Sequence, residues 1–247
     1  MAMEVLGIDV GGTGIKAAVV DADLGQLLST RLRVPTPQPA TPLDVTVILA
    51  DMVRHFNWSG PVGCGFPGVV RDGEIRTAAN IDDEWIGVNA QDALREATGL
   101  ACTVVNDADA AGLAEVMFGA GQTSDGVVLV LTLGTGIGSS LFVKGMLVPN
   151  TEFGQIEIEG RVAESWAAEI VRQKKRLSWK KWGRRLDRYL AAISLYTQPD
   201  LIILGGGGSR KFEKLKPYLT VKTDVVPASL QNEAGIVGAA LAALQAN

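Results

Sequence analysis

An apolar strand, a glycine-rich turn and a second apolar strand occur twice in this chain. The first unit runs from Val5–Val10 through the turn Asp9-Val10-Gly11-Gly12-Thr13-Gly14 to Ile15–Val20. The second runs from Val127–Leu133 through Gly134-Thr135-Gly136-Ile137-Gly138 to Ser139–Val143. Turns of this composition can aim backbone N–H groups at one anion, and glycine combines positive φ with close approach to a ligand. Thr13 and Thr135 add hydroxyl donors, and Asp9 can hold a magnesium ion, directly or through water. Either turn alone reads equally well as an ordinary hairpin. Together, with an acidic residue in the first and a third glycine run at Gly205, Gly206, Gly207 and Gly208, they point to phosphate binding. The candidate phosphate groups are Gly11, Gly12, Thr13, Gly134, Thr135 and Gly136. No Gly-Lys-Ser/Thr triplet occurs, so the chain has no P-loop of the common nucleotide-binding kind.

The repeated grammar predicts an α/β protein with two domains facing a cleft. The expected division is residues 1–118 and 119–234, with a C-terminal helix, 235–247, packing back on the first domain. The break falls in the glycine-rich, polar stretch 119–126. A third strand is expected over Gln26–Val34 and a helix over Leu43–Phe56. A hairpin is expected at Asp72-Gly73, and a helix between the cap Asn89 and Gly99. In the second half the pattern predicts helices over Arg161–Arg176 and Ser178–Thr197, then a strand over Leu201–Leu204.

Composition narrows the chemistry. Of 247 residues, 47% are hydrophobic and 20% charged, a globular balance. Cys64 and Cys102 are the two cysteines, which excludes a disulfide scaffold and suggests a reducing compartment. His55 is the one histidine, so a zinc cluster or a Ser-His-Asp triad is hard to build. The start lacks a signal-peptide pattern, and the most apolar stretch, Val127–Leu133, is too short to span a bilayer. A soluble cytoplasmic protein is expected.

Asn106-Asp107 lies where an apolar strand meets a helix. A carboxylate there can act as general base toward an attacking hydroxyl, and on spacing alone N-capping is the stronger reading. Asp109, further inside the helix, is a weaker competitor. The segment 149–155 carries Glu152 and Gln155, which can hydrogen-bond a polyol or simply form a polar loop. Asn80 invites the same two readings.

The formal net charge is −4, yet nine basic residues and one acidic residue fall between Val171 and Arg188. On a helical wheel Lys180, Lys181, Arg184, Arg185 and Arg188 share one face, and Trp182, Leu186, Tyr189, Leu190 and Ile193 share the opposite one. Such runs are usually solvated faces. If Ser178 caps the helix, however, Lys180 and Lys181 oppose the helix dipole in its first turn. An anion docked there would offset that cost. Trp179 and Trp182 among the cations also permit nucleic-acid binding, but no RNA-binding motif accompanies them and the rest of the chain is acidic.

These residues resemble the ROK (repressor, ORF, kinase) sugar kinases. The likeness rests on Asp9–Gly14, on Leu131–Gly138 and on Glu152-Phe153-Gly154-Gln155. Within that family the chain is most similar to the polyphosphate-using glucokinases, through Pro149–Glu157, Leu177–Trp182 and Pro199–Gly207. The resemblance implies the two-domain actin-like ATPase fold of hexokinase and Hsp70, with a cleft between the domains. It implies Asp107 as base toward the sugar 6-hydroxyl, and Asn80, Asn106, Asp107, Glu152, Gln155 and Glu164 around the sugar. Asp9 and the two turns would hold magnesium and the phosphoryl donor, with Gly205, Gly206 and Gly207 against a nucleoside where ATP is used. From the charge pattern and the helix dipole, Lys180, Lys181, Arg184, Arg185 and Arg188 are expected to guide polyphosphate. The expected partners are glucose, inorganic polyphosphate and ATP, with no nucleic acid or membrane and with a homodimer as the assembly. Two features depart from the family. Gln155 stands where a Glu-x-Gly-His pattern has histidine, and the cysteine-rich zinc motif is missing, so no structural zinc is expected. No helix-turn-helix segment precedes Val5, which disfavours a repressor. The rivals are an ATP-dependent hexose, mannose or N-acetylhexosamine kinase and a non-catalytic sugar or polyphosphate sensor.

Overall fold

The computed structural model describes residues 3–78 and 81–245. The chain divides into two compact units, residues 1–114 with 233–247, and residues 115–232. The first break falls inside a helix, just before Glu115, slightly earlier than the glycine-rich stretch suggests. The buried Glu115 carboxylate accepts from the amides of Ala120 at 3.0 Å, Ser229 at 3.0 Å and Leu230 at 2.7 Å. These bonds commit the end of that helix to the second unit.

The first unit contains β1 (Glu4–Gly11), β2 (Gly14–Asp21), β3 (Gln26–Leu27), β4 (Leu32–Val34), α1 (Pro42–His55) and β5 (Val62–Phe66). A small hairpin, β6 (Val70–Arg71) and β7 (Glu74–Ile75), precedes α2 (Ala90–Thr98), β8 (Cys102–Asn106) and α3 (Asp107–Phe118). The main sheet runs β3-β2-β1-β5-β8, with β4 also on β2. β1 and β2 are antiparallel, whereas β1, β5 and β8 are parallel. The C-terminal ends of three strands therefore share one edge, the usual place for a ligand in an open α/β sheet. The helix Ala234–Gln245 packs on β1 and β5. A side chain at Gly7 or Gly63 would collide with the carbonyls of Ile236 and Ala239, so glycine is what lets this helix lie close. The core gathers Leu6, Ile8, Leu49, Met52, Phe66 and Trp85, all at most 1% exposed.

The expected third strand is interrupted. Ser29 Oγ accepts the Val19 amide at 2.9 Å, so a side chain takes the place of a ladder carbonyl between β3 and β4.

The second unit repeats the succession with β9 (Val127–Leu133), β10 (Ile137–Val143), β11 (Met146–Val148), β12 (Glu157–Ile158) and β13 (Arg161–Val162). Then come α4 (Glu164–Ala167), α5 (Glu169–Lys174), α6 (Trp179–Thr197), β14 (Leu201–Gly205), α7 (Gly206–Ser209), α8 (Phe212–Leu215) and β15 (Asp224–Pro227). Its sheet runs β11-β10-β9-β14-β15, antiparallel at β9–β10 and parallel at β9–β14 and β14–β15. The apolar stripe of α6, from Trp182 to Ile193, is buried as the wheel requires, and Trp182 Nε1 donates to Ala167 O at 2.8 Å.

The helix expected over Arg161–Arg176 does not begin at Arg161. That residue belongs to a hairpin closed through Glu159 (φ 53°) and Gly160 (φ 71°). The helix is then split at Ala168, whose ψ of 155° is extended. Among the described residues no helix is long and apolar enough to cross a membrane.

Candidate active site

In the first unit Asp9 lies two residues before the end of β1 and Asn106 ends β8, with β5 between the two strands. The register sets Asp9 beside Gly65 and Asn106 beside Phe66, so both lie on the same sheet edge, roughly 10 Å apart across two strand spacings. Asn106 is 5% exposed and caps α3, where its Oδ1 accepts from Ala108 N at 2.9 Å and Asp109 N at 3.0 Å. Its Nδ2 donates to Gly68 O at 3.0 Å. The capping expected of Asn106-Asp107 thus falls on Asn106, whose amide oxygen is committed. One amide hydrogen remains beyond these bonds. Asp107, the first helical residue, is half-buried just past the cap. Asp109 is 2% exposed, which sets it apart from any solvent-facing role.

Asp9 Oδ2 receives Lys16 Nζ at 2.7 Å. The turn between β1 and β2 is braced from both sides. Thr36 Oγ1 donates to Gly11 O at 2.5 Å, and Arg33 Nη2 donates to Thr13 O at 3.3 Å. The Arg33 guanidinium lies over Gly14, where a Cβ would meet Nη2 at 2.7 Å. The sequence reading missed Lys16 and Arg33 because nothing in their spacing marks them. Their partners become neighbours through the antiparallel β1–β2 and β2–β4 ladders. Asn80 lies outside the described residues.

In the second unit the Gly134–Gly138 turn and the Gly205–Gly207 run come together. β9 and β14 are parallel, with Gly205 level with Thr132. Gly206 sits against Leu133 with φ 75°, where any side chain would strike the Leu133 backbone. Among the glycines expected to contact phosphate or donor, Gly206 alone has positive φ. The positive φ expected at the two turns is therefore absent from Gly11, Gly12, Gly134 and Gly136. What distinguishes Gly134 and Gly207 is room, since nothing lies within 4 Å of a Cβ at either position. Thr13 and Thr135 are exposed.

The loop carrying Glu152 is clasped to β10. Ser139 Oγ donates to Thr151 O and accepts from Phe153 N at 2.9 Å, and Thr151 Oγ1 donates to Ser139 O at 3.1 Å. Glu152 is thereby fixed on both sides. Gly154 is required beneath the loop, because a Cβ would run into Ile137 O. Glu164 opens α4 and accepts from Ile137 N in the glycine turn at 3.2 Å, while Ile170 N donates to Gly134 O at 3.0 Å. Loss of solvation, and then the negative charge of Glu164, push the Glu152 carboxyl above its ordinary value. Burial, with Glu164 again second, pushes the Tyr189 phenol up. Gln155 is exposed at the end of the loop.

The basic helix is less uniform than its wheel. Ser178 caps it, with Lys181 N donating to Ser178 Oγ at 3.3 Å, and no acidic residue occupies the first turn. Lys180, Lys181 and Arg184 are exposed and form no ion pair among the described residues. Arg185 is held inward, donating to Trp166 O at 3.0 Å with its guanidinium 5.8 Å from the Trp166 ring. Arg188 pairs with Glu159 at 3.3 Å on the surface. Two of the five cations therefore already have protein partners.

Residues 5–156 match the ROK family. The polyphosphate glucokinase of Mycobacterium tuberculosis (strain CDC 1551 / Oshkosh) is 53% identical over 96% of this chain and 90% of its own length. The inorganic polyphosphate/ATP-glucomannokinase from Arthrobacter sp. strain KM superposes with a TM-score of 0.95 and 44% identity, covering 99% of each chain. A ROK glucokinase from Streptomyces griseus in complex with glucose and AMPPNP gives a TM-score of 0.84 and 26% identity, covering 98% of this chain and 99% of its own. Its sheets share the actin-like layout of these structures, and the chain belongs to the ROK family.

Proposed function

We propose that this chain transfers a terminal phosphoryl group from inorganic polyphosphate to the 6-hydroxyl of glucose, with ATP as a second donor. The names of the relatives at 53% and 44% identity support the chemistry. The observation that carries the choice of donor is the exposed triad Lys180, Lys181 and Arg184 on α6, two of whose members oppose the helix dipole with no acid to compensate them.

In this reading Glu152, Gln155 and Glu164 receive sugar hydroxyls, and Asn106 offers its remaining amide hydrogen. Asp107 takes the 6-hydroxyl proton as the new O–P bond forms and the bridging P–O bond of the donor breaks, releasing polyphosphate one unit shorter. The glycine turns supply backbone amides and room for the transferred group, so catalysis is mainly positioning and electrostatics.

Phosphoryl-transfer enzymes of this kind typically need a divalent metal. Among the described residues no group of three or more His, Cys, Asp or Glu side chains is placed to hold one. Asp9, a lone carboxylate at the sheet edge, suits Mg2+, which keeps several waters and takes donor phosphate oxygens rather than an all-protein cage. Asp9 would hold the ion, and the ion would neutralise charge on the donor phosphates. Lys16 keeps that carboxylate oriented.

The test is formation of glucose 6-phosphate by the purified chain, with polyphosphate and ATP assayed side by side. Turnover with polyphosphate is expected. Turnover with ATP alone would leave an ATP-dependent hexose kinase, and turnover with neither would leave a non-catalytic sensor.

A further inference from the structure

We propose that Lys211, Lys214 and Lys216 continue the cationic face of α6, and that a long polyphosphate chain binds across both. The ligand class rests on the polyphosphate reading above, and the extension rests on how α8 and the turn after it pack.

Tyr218 packs on Gly183, where a Cβ would meet its side chain at 2.9 Å. Thr220 donates to Asp187 through its amide at 2.5 Å and its hydroxyl at 2.7 Å. At about 100° per residue, Gly183 and Asp187 adjoin Lys180 and Arg184 on the α6 surface. The segment that follows α8 is thus one bank of the exposed cationic strip. The other bank is closed, since Arg185 is turned to Trp166 and Arg188 to Glu159. Lys180 and Arg184 therefore border the segment that leads out of α8.

α8 itself also packs on α6, and there Phe212 and Leu215 are buried, whereas Lys211, Lys214 and Lys216, on α8 and its flanks, are exposed. Among the described residues none of the three forms an ion pair, and Glu213 is the acid in their midst. Two neighbouring elements thus present unpaired like charges toward solvent, an arrangement that repels itself until an anion arrives. A polymer of repeating phosphates can meet both groups at once. A three-phosphate donor meets fewer cations, so the second group should discriminate by chain length.

The test is binding of long-chain polyphosphate and of tripolyphosphate to the full chain by titration calorimetry, with wild type and Lys211→Gln/Lys214→Gln/Lys216→Gln compared. The variant should weaken long-chain binding about tenfold more than tripolyphosphate binding, the sum of three exposed pairs. Its dependence on salt should be shallower, because fewer counterions are exchanged. The triple Lys→Arg variant should restore the wild-type ratio, which a folding defect would not do. Equal loss for both donors, or no loss for either, would overturn the proposal. Because binding is read directly, a chain that binds polyphosphate but transfers nothing would sink the kinase reading and leave this one standing.

Discussion

Glu164, hydrogen-bonded to the second glycine turn through Ile137 N, acts on Glu152: loss of solvation first, and the Glu164 charge second, push the Glu152 carboxyl above its ordinary value. Glu164 is kept in place by the Ile137 amide at 3.2 Å. In the proposed reading, a carboxyl that accepts sugar hydroxyls thus sits where its surroundings favour the protonated form.

Glucose binding should accordingly weaken as pH falls through the raised Glu152 value, because the protonated acid loses acceptor capacity. Glu164→Gln keeps an oxygen for Ile137 N and removes the repelling charge. Its acid limb in a plot of KM for glucose against pH should move to lower pH. The linked stability has a definite sign. A carboxyl raised in the folded state contributes stability below its unfolded value, and that contribution is lost as pH rises through the folded value. Glu164→Gln should thus gain Tm at neutral pH relative to wild type, and the gain should vanish in acid. An acid limb that stays in place would remove Glu152 from the sugar site.

Asp107→Asn should lower kcat by about 10²–10⁴-fold, the usual worth of a general base. Asn106 supplies the α3 cap through Ala108 N and Asp109 N, so Tm should hold. Wild-type turnover in a well-folded Asp107→Asn protein would contradict the assignment.

Gly134→Ala isolates the room kept for the donor. Nothing lies within 4 Å of the added methyl, and φ at Gly134 is not in the left-handed region. Stability should change by less than about 0.5 kcal/mol. KM for the donor should rise while KM for glucose stays near wild type. A fall in Tm with unchanged donor KM would mean that the glycine serves the fold.

Lys180→Gln/Lys181→Gln/Arg184→Gln should raise KM for polyphosphate more than for ATP, and the difference should shrink as salt screens exposed charge over roughly 3 Å at 1 M. Arg185→Gln should behave differently, losing Tm through its bond to Trp166 O. Kinetics with both donors across salt, with thermal unfolding alongside, separate the two.

The legible parts of the fold are those written in neighbouring residues. Asn89 caps α2 by accepting Asp92 N at 2.9 Å, and Gly99 ends it with φ 71°. Asp72-Gly73 turns the small hairpin with φ of 52° and 78°. The α6 wheel separates buried from exposed faces, because a period of 3.6 residues needs only the local pattern. The candidate site is legible where glycine or a strand–helix junction marks it, as at Gly134 and Asp107. What stays hidden depends on distant partners. The Glu159-Gly160 turn overrides the helical pattern from Arg161, and the Ser139 clasp joins residues that only the β10 register brings together. The capture of Glu115 by Ser229 and Leu230 moves the division between the units. The partners of Lys16, Arg33 and Arg185 likewise exist only once the strands pair and the helices dock.

The measurement closest to the central claim is phosphorus NMR of glucose and long-chain polyphosphate mixed with the purified chain in nucleotide-free, magnesium-containing buffer. The account predicts a glucose 6-phosphate resonance that grows as internal polyphosphate units are lost, one phosphoryl group consumed for each sugar phosphorylated. Polyphosphate consumed only to free phosphate, or no sugar phosphate until ATP is added, would contradict it.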